Sequence, residues 1–238
     1  MYKLKRAIIL AAGAGKRMQP LTLSVPKPLV KVKGTRMIDG IIAALHANGI
    51  TEIYIVVGYK KEQFEYLKSI EGITLIDNPF FDRANNIASL YCARKYLEDA
   101  IVLDGDQIIV NPKVLRADFE KSGYNAVWTE EPTKEWLMQV ENNRVISCSR
   151  NGGNLGWQLF SVSRWTKEDG ERLRDCLERE FVQHKNCDIY WDDLALFIYP
   201  DDFDLGIMKM QLGDVIEIDD LQELATIDES YSEYLEKE

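Results

Sequence analysis

LAAGAGKRMQPLTLSVPKPL, residues 10–29, is the stretch on which the reading of this chain turns. It follows the apolar run Ala7-Ile8-Ile9-Leu10, whose length and bulk suit a short buried strand. Leu10, Ala11, Ala12, Gly13, Ala14 and Gly15 then keep the backbone nearly bare where something bulky must approach. Small side chains leave the N–H groups free to point at phosphate oxygens. Lys16 and Arg17 come next, and Lys27 follows ten residues later, held between Pro26 and Pro28. A glycine loop with a lysine–arginine pair and a second, rigidly placed lysine is chemistry for a polyphosphate.

Two other phosphate loops are excluded. The mononucleotide loop needs Gly, four residues, then Gly-Lys-Ser/Thr; here Arg17 follows Gly15-Lys16, and Leu10 stands where the first glycine belongs. The dinucleotide loop needs a third small residue and, about twenty residues on, an acid for the ribose. Met18 takes the small position, and Lys31 and Lys33 make the later region basic.

Composition narrows the field. The 238 residues, 46% of them hydrophobic, suit one domain with a sizeable core. A net charge of −10, from 39 acidic and 29 basic residues, argues against sequence-independent nucleic-acid binding. No apolar run nears the roughly 20 residues a membrane span requires. The N-terminus enters a strand without a signal-peptide pattern, so a cytoplasmic location is expected. Cys92, Cys148, Cys176 and Cys187 lack C-x-x-C spacing and read as reduced thiols. With only His46 and His184, a zinc site or a serine–histidine triad has little to build on. Any catalytic metal must be held by carboxylates, which points to Mg²⁺.

Strand and helix signals alternate through the first half. Glu52–Val57, Ile73–Ile76 and Ala100–Leu103 read as strands. Met37–Asn48, Lys61–Ile70 and Asn86–Leu97 read as helices, the last with Asn85 or Asn86 as cap. The expected fold class is α/β: a Rossmann-like, mostly parallel mixed sheet flanked by helices. Ligands of such sheets gather at the carboxyl ends of the strands. After residue 124, short alternating stretches (Ala126–Thr129, Leu137–Glu141, Val145–Cys148, Leu159–Val162) suggest a small antiparallel insertion. A charged helix over about 166–183, strands near Ile207–Gln211 and Val215–Ile218, and an acidic helical tail complete the chain.

Two pairs of acids stand at strand ends. Strand alternation places Asp104 and Asp106 on the face opposite Ile101 and Leu103, and Glu217 and Asp219 opposite Ile216 and Ile218. Each acid alone is equally a turn residue, and Asp219 also suits a helix cap. Beside a polyphosphate loop the pairs gain weight, because a triphosphate travels with a divalent cation. Asn78, Asn85, Asn86 and Ser89 lie in IDNPFFDRANNIASL; asparagine both donates and accepts, as a pyrimidine edge requires. Cytosine and uracil are not separated by these residues. Two further groupings mix aromatics with acids: Trp128 to Trp136, with Glu130, Glu131 and Glu135, and Tyr190-Trp191-Asp192-Asp193. Such a box suits a quaternary ammonium, with each contact worth about 0.5–2 kcal/mol.

The glycine loop, Asn85-Asn86-x-x-Ser89-Leu90, Glu135-Trp136 and Tyr190–Asp193 together resemble the bacterial CTP:phosphocholine cytidylyltransferases of the nucleotidyltransferase superfamily. The similarity runs nearly end to end, including Gly58–Lys68 and Glu217–Asp219. That family's Asp-Ala-Asp-Asn is Asp104-Gly105-Asp106-Gln107 here, and residues 140–165 match loosely. The resemblance implies a loop that wraps CTP, with Arg17 on the β- and γ-phosphates and Lys27 reaching the reacting ones. It implies Asp106 and Asp219 as Mg²⁺ ligands, Glu217 as a candidate third and Asp104 behind them. Residues 1–123 would form an NTP-binding half and 124–238 an acceptor- and metal-binding half of one domain. Phosphocholine would be held by Glu135, Trp136, Tyr190, Trp191, Asp192 and Asp193. Rival readings are transfer to a sugar 1-phosphate or phosphoethanolamine, and a nucleotide sensor without turnover.

Overall fold

The computed structural model describes residues 1–235. Its centre is a nine-stranded mixed sheet. The strands are β1 (Arg6–Ala11), β2 (Glu52–Val57), β3 (Ile73–Asp77), β4 (Ala100–Asp104), β5 (Gly123–Thr129), β6 (Leu137–Glu141), β7 (Arg144–Ser149), β8 (Gly156–Trp165) and β9 (Gly206–Lys209). The path β7-β6-β8-β4-β1-β2-β3 carries a branch in which β5 pairs with β8 and β9. β1 runs parallel to β2 and β4, and β2 parallel to β3. β8 joins β4 antiparallel and carries the second half of the chain into the same sheet. Among the described residues the α-helices are α1 (Met37–Ala47), α2 (Ile87–Ala93), α3 (Lys167–Leu177) and α4 (Leu221–Ile227).

Strand alternation divides the core in two. Ile8, Leu10, Val56 and Val102 pack with Leu90 of α2 and Leu173 and Leu177 of α3. Ala7, Ile9, Ile55, Ile101 and Leu103 pack on the other face with Ile38, Ile41 and Leu45 of α1. A strand buried on both sides has no polar face, which is why Ala7–Leu10 is apolar throughout. The carboxyl ends of β1 and β4 are thereby fixed side by side, Leu10 pairing with Asp104.

Several local expectations are corrected. The helix expected over Lys61–Ile70 is present as a 3₁₀ helix, Lys61–Ser69; its buried residues, Phe64 and Leu67, are three apart, the repeat of that helix. The helix expected to reach Leu97 is α-helical only to Ala93, and Arg94–Tyr96 tightens to 3₁₀. α3 starts at a Thr166 cap and gives way to a π-helical stretch at Glu178–Gln183. Asn86 occupies the cap position of α2, yet its side chain makes no capping bond. Asn142 and Asn143 both have positive φ, 49° and 59°, as the tight β6–β7 hairpin turn requires.

Candidate active site

The glycine loop leaves the end of β1. Gly15 has φ 59°, and a Cβ there would lie 3.0 Å from Thr22 Cγ2 and 3.1 Å from Lys27 Cβ, so the fold itself demands glycine. Gly13 differs: an added Cβ would meet no atom within 4 Å, so the fold itself does not demand glycine there. The loop is tied down by Thr22 Oγ1, which donates to Gly15 O (2.8 Å), and by Tyr59 N, which donates to Ala12 O (3.0 Å). Neither support is visible in the loop sequence.

A cavity of about 400 Å³ opens over this loop. Leu10, Ala11, Ala12, Gly13, Gly15, Lys16, Arg17 and Lys27 form one side, and Asn78, Asn85, Asn86 and Ser89 another. Ala14 belongs to the loop without lining the cavity. Phe81 and Ala84 also line it; both stood inside the asparagine-rich segment, where apolar residues carry no signal of their own. The Asn78 amide is engaged inward, its Nδ2 donating to Ser89 Oγ (3.1 Å) and its Oδ1 accepting from Phe80 N (2.9 Å). Asn85 Nδ2 donates to Asp188 O (3.1 Å), and Asn86 Oδ1 accepts from Trp191 N (3.0 Å). Asn85 and Asn86 therefore tie this wall of the cavity to the 188–191 segment.

A second cavity, of about 220 Å³, adjoins the first, and the two share Asn86, Asp104, Asp106 and Asp219. Glu135, Trp136, Leu159, Ser161, Tyr190, Asp192 and Glu217 complete its walls. Trp136 and Tyr190 meet edge to face, with centroids 5.8 Å apart at 87°. The structure does not bring Trp191 or Asp193 to this cavity. Trp191 is 2% exposed and sits in the core against Tyr124 and Trp165, because alternate residues of a tight segment point opposite ways. Asp193 turns inward to Arg150, Nη2 to Oδ1 2.6 Å. Trp128 lies elsewhere, half-exposed and edge-on to Trp157.

The acids converge by a turn rather than by strand alternation, since β4 ends at Asp104 and Asp106 lies in the turn beyond it. A short ribbon pairing Gln107–Ile109 with Val215–Glu217 then brings Asp219 alongside. Lys27 Nζ lies 2.6 Å from Asp106 Oδ2 and 3.4 Å from Asp219 Oδ1, while Arg17 Nη2 reaches the same Asp219 oxygen at 2.8 Å. Burial acts to lower the Lys27 pKa, but Asp106 and Asp219 outweigh it and the pKa is raised. Asp219 is not the cap of α4; Asp220 is, accepting from Glu223 N at 2.9 Å. Glu217 Oε1 accepts from Gln107 Nε2 (2.8 Å) and Ser161 N (3.3 Å).

Asp106, Glu217 and Asp219 do not form a ready-made ligand trio: among the described residues no group of three or more His, Cys, Asp or Glu is placed to hold a metal. Asp106 and Asp219 nevertheless close on one cation, the Lys27 ammonium. Two hard oxygen donors suit Mg²⁺, which binds through one or two carboxylates, water and substrate phosphates. The surroundings disfavour further negative charge. Burial lifts the Asp104 pKa well above the carboxylate range, with Asp106, Asp192 and Glu217 adding repulsion. Burial lifts Glu217 to about 7 and Asp192 to about 8. Asp192 is buried, with the Tyr124 hydroxyl acting on its carboxylate.

A glycine loop at the end of the first sheet strand, a basic pair, and acids facing a second, aromatic cavity define a nucleotidyltransferase. The chain belongs to the MobA-like NTP transferase family, whose domain it matches over residues 7–168. It is 31% identical to the choline-phosphate cytidylyltransferase of Streptococcus pneumoniae, with 94% of this chain and 97% of that one covered. It is 32% identical to the 2-aminoethylphosphonate cytidylyltransferase of Lancefieldella rimae, covering 94% and 92%. The solved structure of the S. pneumoniae CTP:phosphocholine cytidylyltransferase superimposes with a TM-score of 0.89 at 32% identity, covering 96% of this chain and 99% of that one. Among the described residues no helix is long and apolar enough to cross a membrane.

Proposed function

We propose that the protein transfers CMP from CTP to phosphocholine, giving CDP-choline and pyrophosphate. The observation that carries this reading is the pair of adjoining cavities: the one with the glycine loop meets the one with Trp136, Tyr190 and Asp192 at Asp104, Asp106 and Asp219. A triphosphate over the loop and a cationic headgroup against the aromatic pair put the acceptor phosphate at the shared acids. Its oxygen attacks the α-phosphorus of CTP in line; the new P–O bond forms as the bond to the β-phosphate oxygen breaks, and pyrophosphate leaves. A phosphate monoester is already nucleophilic, so no side-chain nucleophile is required. Catalysis is then positioning and charge neutralisation. Lys16 and Arg17 hold the outgoing phosphates, Lys27 meets charge at the reacting centre, and loop N–H groups fix the triphosphate. Asp106 and Asp219 would hold Mg²⁺, which neutralises phosphate charge when bound. Residues 1–123 supply most of the nucleotide side, and 124–238 most of the acceptor side and Asp219.

The Asp192 carboxylate oxygen on the wall of the second cavity favours one variant of this reading. A primary ammonium, as in 2-aminoethylphosphonate or phosphoethanolamine, can donate to that oxygen, whereas a trimethylammonium can only lie against it. Purified protein with CTP or UTP should be offered phosphocholine, phosphoethanolamine, 2-aminoethylphosphonate and a sugar 1-phosphate, with pyrophosphate release followed. The highest kcat/KM is expected for CTP with phosphocholine. Preference for a primary-ammonium acceptor replaces the acceptor assignment, and preference for the sugar phosphate overturns it.

A further inference from the structure

We propose that Arg150 is a positioning residue that braces the two walls of the acceptor cavity against each other; the inference rests on the cytidylyl-transfer reading above. The walls come from segments far apart in sequence, Glu135-Trp136 ahead of β6 and Tyr190–Asp192 beyond α3, and both are irregular. Short irregular segments do not hold aromatic rings in place by themselves. Arg150, in the turn after β7, reaches both.

Toward one wall, Arg150 Nε and Nη2 donate to Asp193 Oδ1 at 3.0 and 2.6 Å. Asp193 Oδ2 accepts from Tyr190 N at 3.0 Å, so the guanidinium anchors the backbone that presents the Tyr190 ring. Toward the other, its carbon lies 3.7 Å from the Phe197 ring centre and 5.7 Å from that of Trp136. Phe197 in turn meets Trp136 edge-on at 5.3 Å. The same turn grips the Trp136 segment through its backbone: Thr133 N donates to Gly153 O (2.9 Å) and Gly153 N to Thr133 O (3.1 Å). Gly152 permits this approach; at φ 67° its Cβ would sit 1.8 Å from Thr133 O.

The pairing also sorts the charges. Asp193 is 3% exposed, and a buried carboxylate requires a partner. Arg150 supplies it without lining the cavity. Of the acids lining the cavity beside the aromatic pair, Glu135 and Asp192 stay free of that ion pair.

The test is steady-state kinetics and thermal unfolding of wild type, Arg150→Ala, Arg150→Lys and the double variant Arg150→Met with Asp193→Asn. Arg150→Ala should raise the phosphocholine KM roughly 10- to 100-fold while the CTP KM stays within about twofold. Arg150→Lys, which keeps the charge and loses the fork, should recover part of the loss. The double variant leaves no buried unpaired charge; it should unfold at the wild-type temperature and still show the raised acceptor KM. An unchanged acceptor KM in Arg150→Ala, acceptor and CTP constants rising together, or normal acceptor binding in the double variant would each overturn the brace. If wild type binds CTP yet turns over no aminoalkyl phosphate, the functional reading fails separately. Amide exchange then decides the brace: faster exchange at both 133–136 and 189–193 in Arg150→Ala supports it, and unchanged exchange overturns it.

Discussion

Lys27 Nζ lies 2.6 Å from Asp106 Oδ2, joining the lysine between two prolines to the acid of the turn after β4. In the proposed reaction this contact would place a fixed cation where negative charge builds at the transferring phosphate. Lys27→Ala is expected to lower kcat by roughly 10²- to 10³-fold, and Asp106→Asn by a comparable factor, with the unfolding temperature nearly unchanged. Pyrophosphate release and circular dichroism check both; a soluble Asp106→Asn protein with most of its activity contradicts the assignment.

Asp219 and Asp220 are neighbours with different work. Asp219 accepts from Arg17 and Lys27 at 2.8 and 3.4 Å, whereas Asp220 caps α4. Asp220→Ala should cost about 1 kcal/mol of stability with near-normal kcat, and Asp219→Ala should do the reverse. Urea unfolding beside kinetics separates them.

The two tryptophans of the acceptor motifs should also part company. Trp191 is 2% exposed, so Trp191→Ala should destabilise by about 3–5 kcal/mol and yield little folded protein. Trp136→Ala should fold and raise the acceptor KM. Calorimetric unfolding and acceptor titration give opposite rankings if this is right.

Asp192 sets an expected pH dependence. Burial, opposed by the nearby Tyr124 hydroxyl and reinforced by Asp193 and Glu217, lifts its pKa from 3.8 to about 8. Cys148 also faces it, itself pushed up to about 12 by burial. Below pH 8 the carboxyl is neutral, and above it an anion awaits the acceptor cation. The acceptor kcat/KM should therefore rise through pH 8, and Asp192→Asn should remove that rise. Stability runs the other way. Between 3.8 and about 8 the folded chain keeps a proton that the unfolded chain has lost, so stability falls as pH rises across that window. Asp192→Asn should flatten this slope in urea titrations.

The parts legible in the sequence were those fixed by local pattern. The apolar run of β1 announced a largely parallel sheet, and the glycine loop does line one cavity with Asp104, Asp106 and Asp219. What stayed hidden depended on long-range packing. No local rule places Trp191 in the core while Tyr190 faces the cavity, and Asp219 and Asp220 are equally good helix caps until α4 is seen to choose the second. The partners of Glu217, Gln107 and Ser161, come from distant strands and leave no local signal. Arg150 stands at the polar Asn151-Gly152-Gly153 turn, and its contacts with Asp193 and Phe197 arise only when the hairpin folds over the 190s.

The measurement that bears most directly on the central claim is ³¹P NMR of the protein mixed with CTP, Mg²⁺ and phosphocholine. The account predicts that a CDP-choline diphosphate signal and a pyrophosphate signal grow together in equal amounts while both substrates fall. Unchanged CTP, or inorganic phosphate appearing without a diphosphate product, would contradict it.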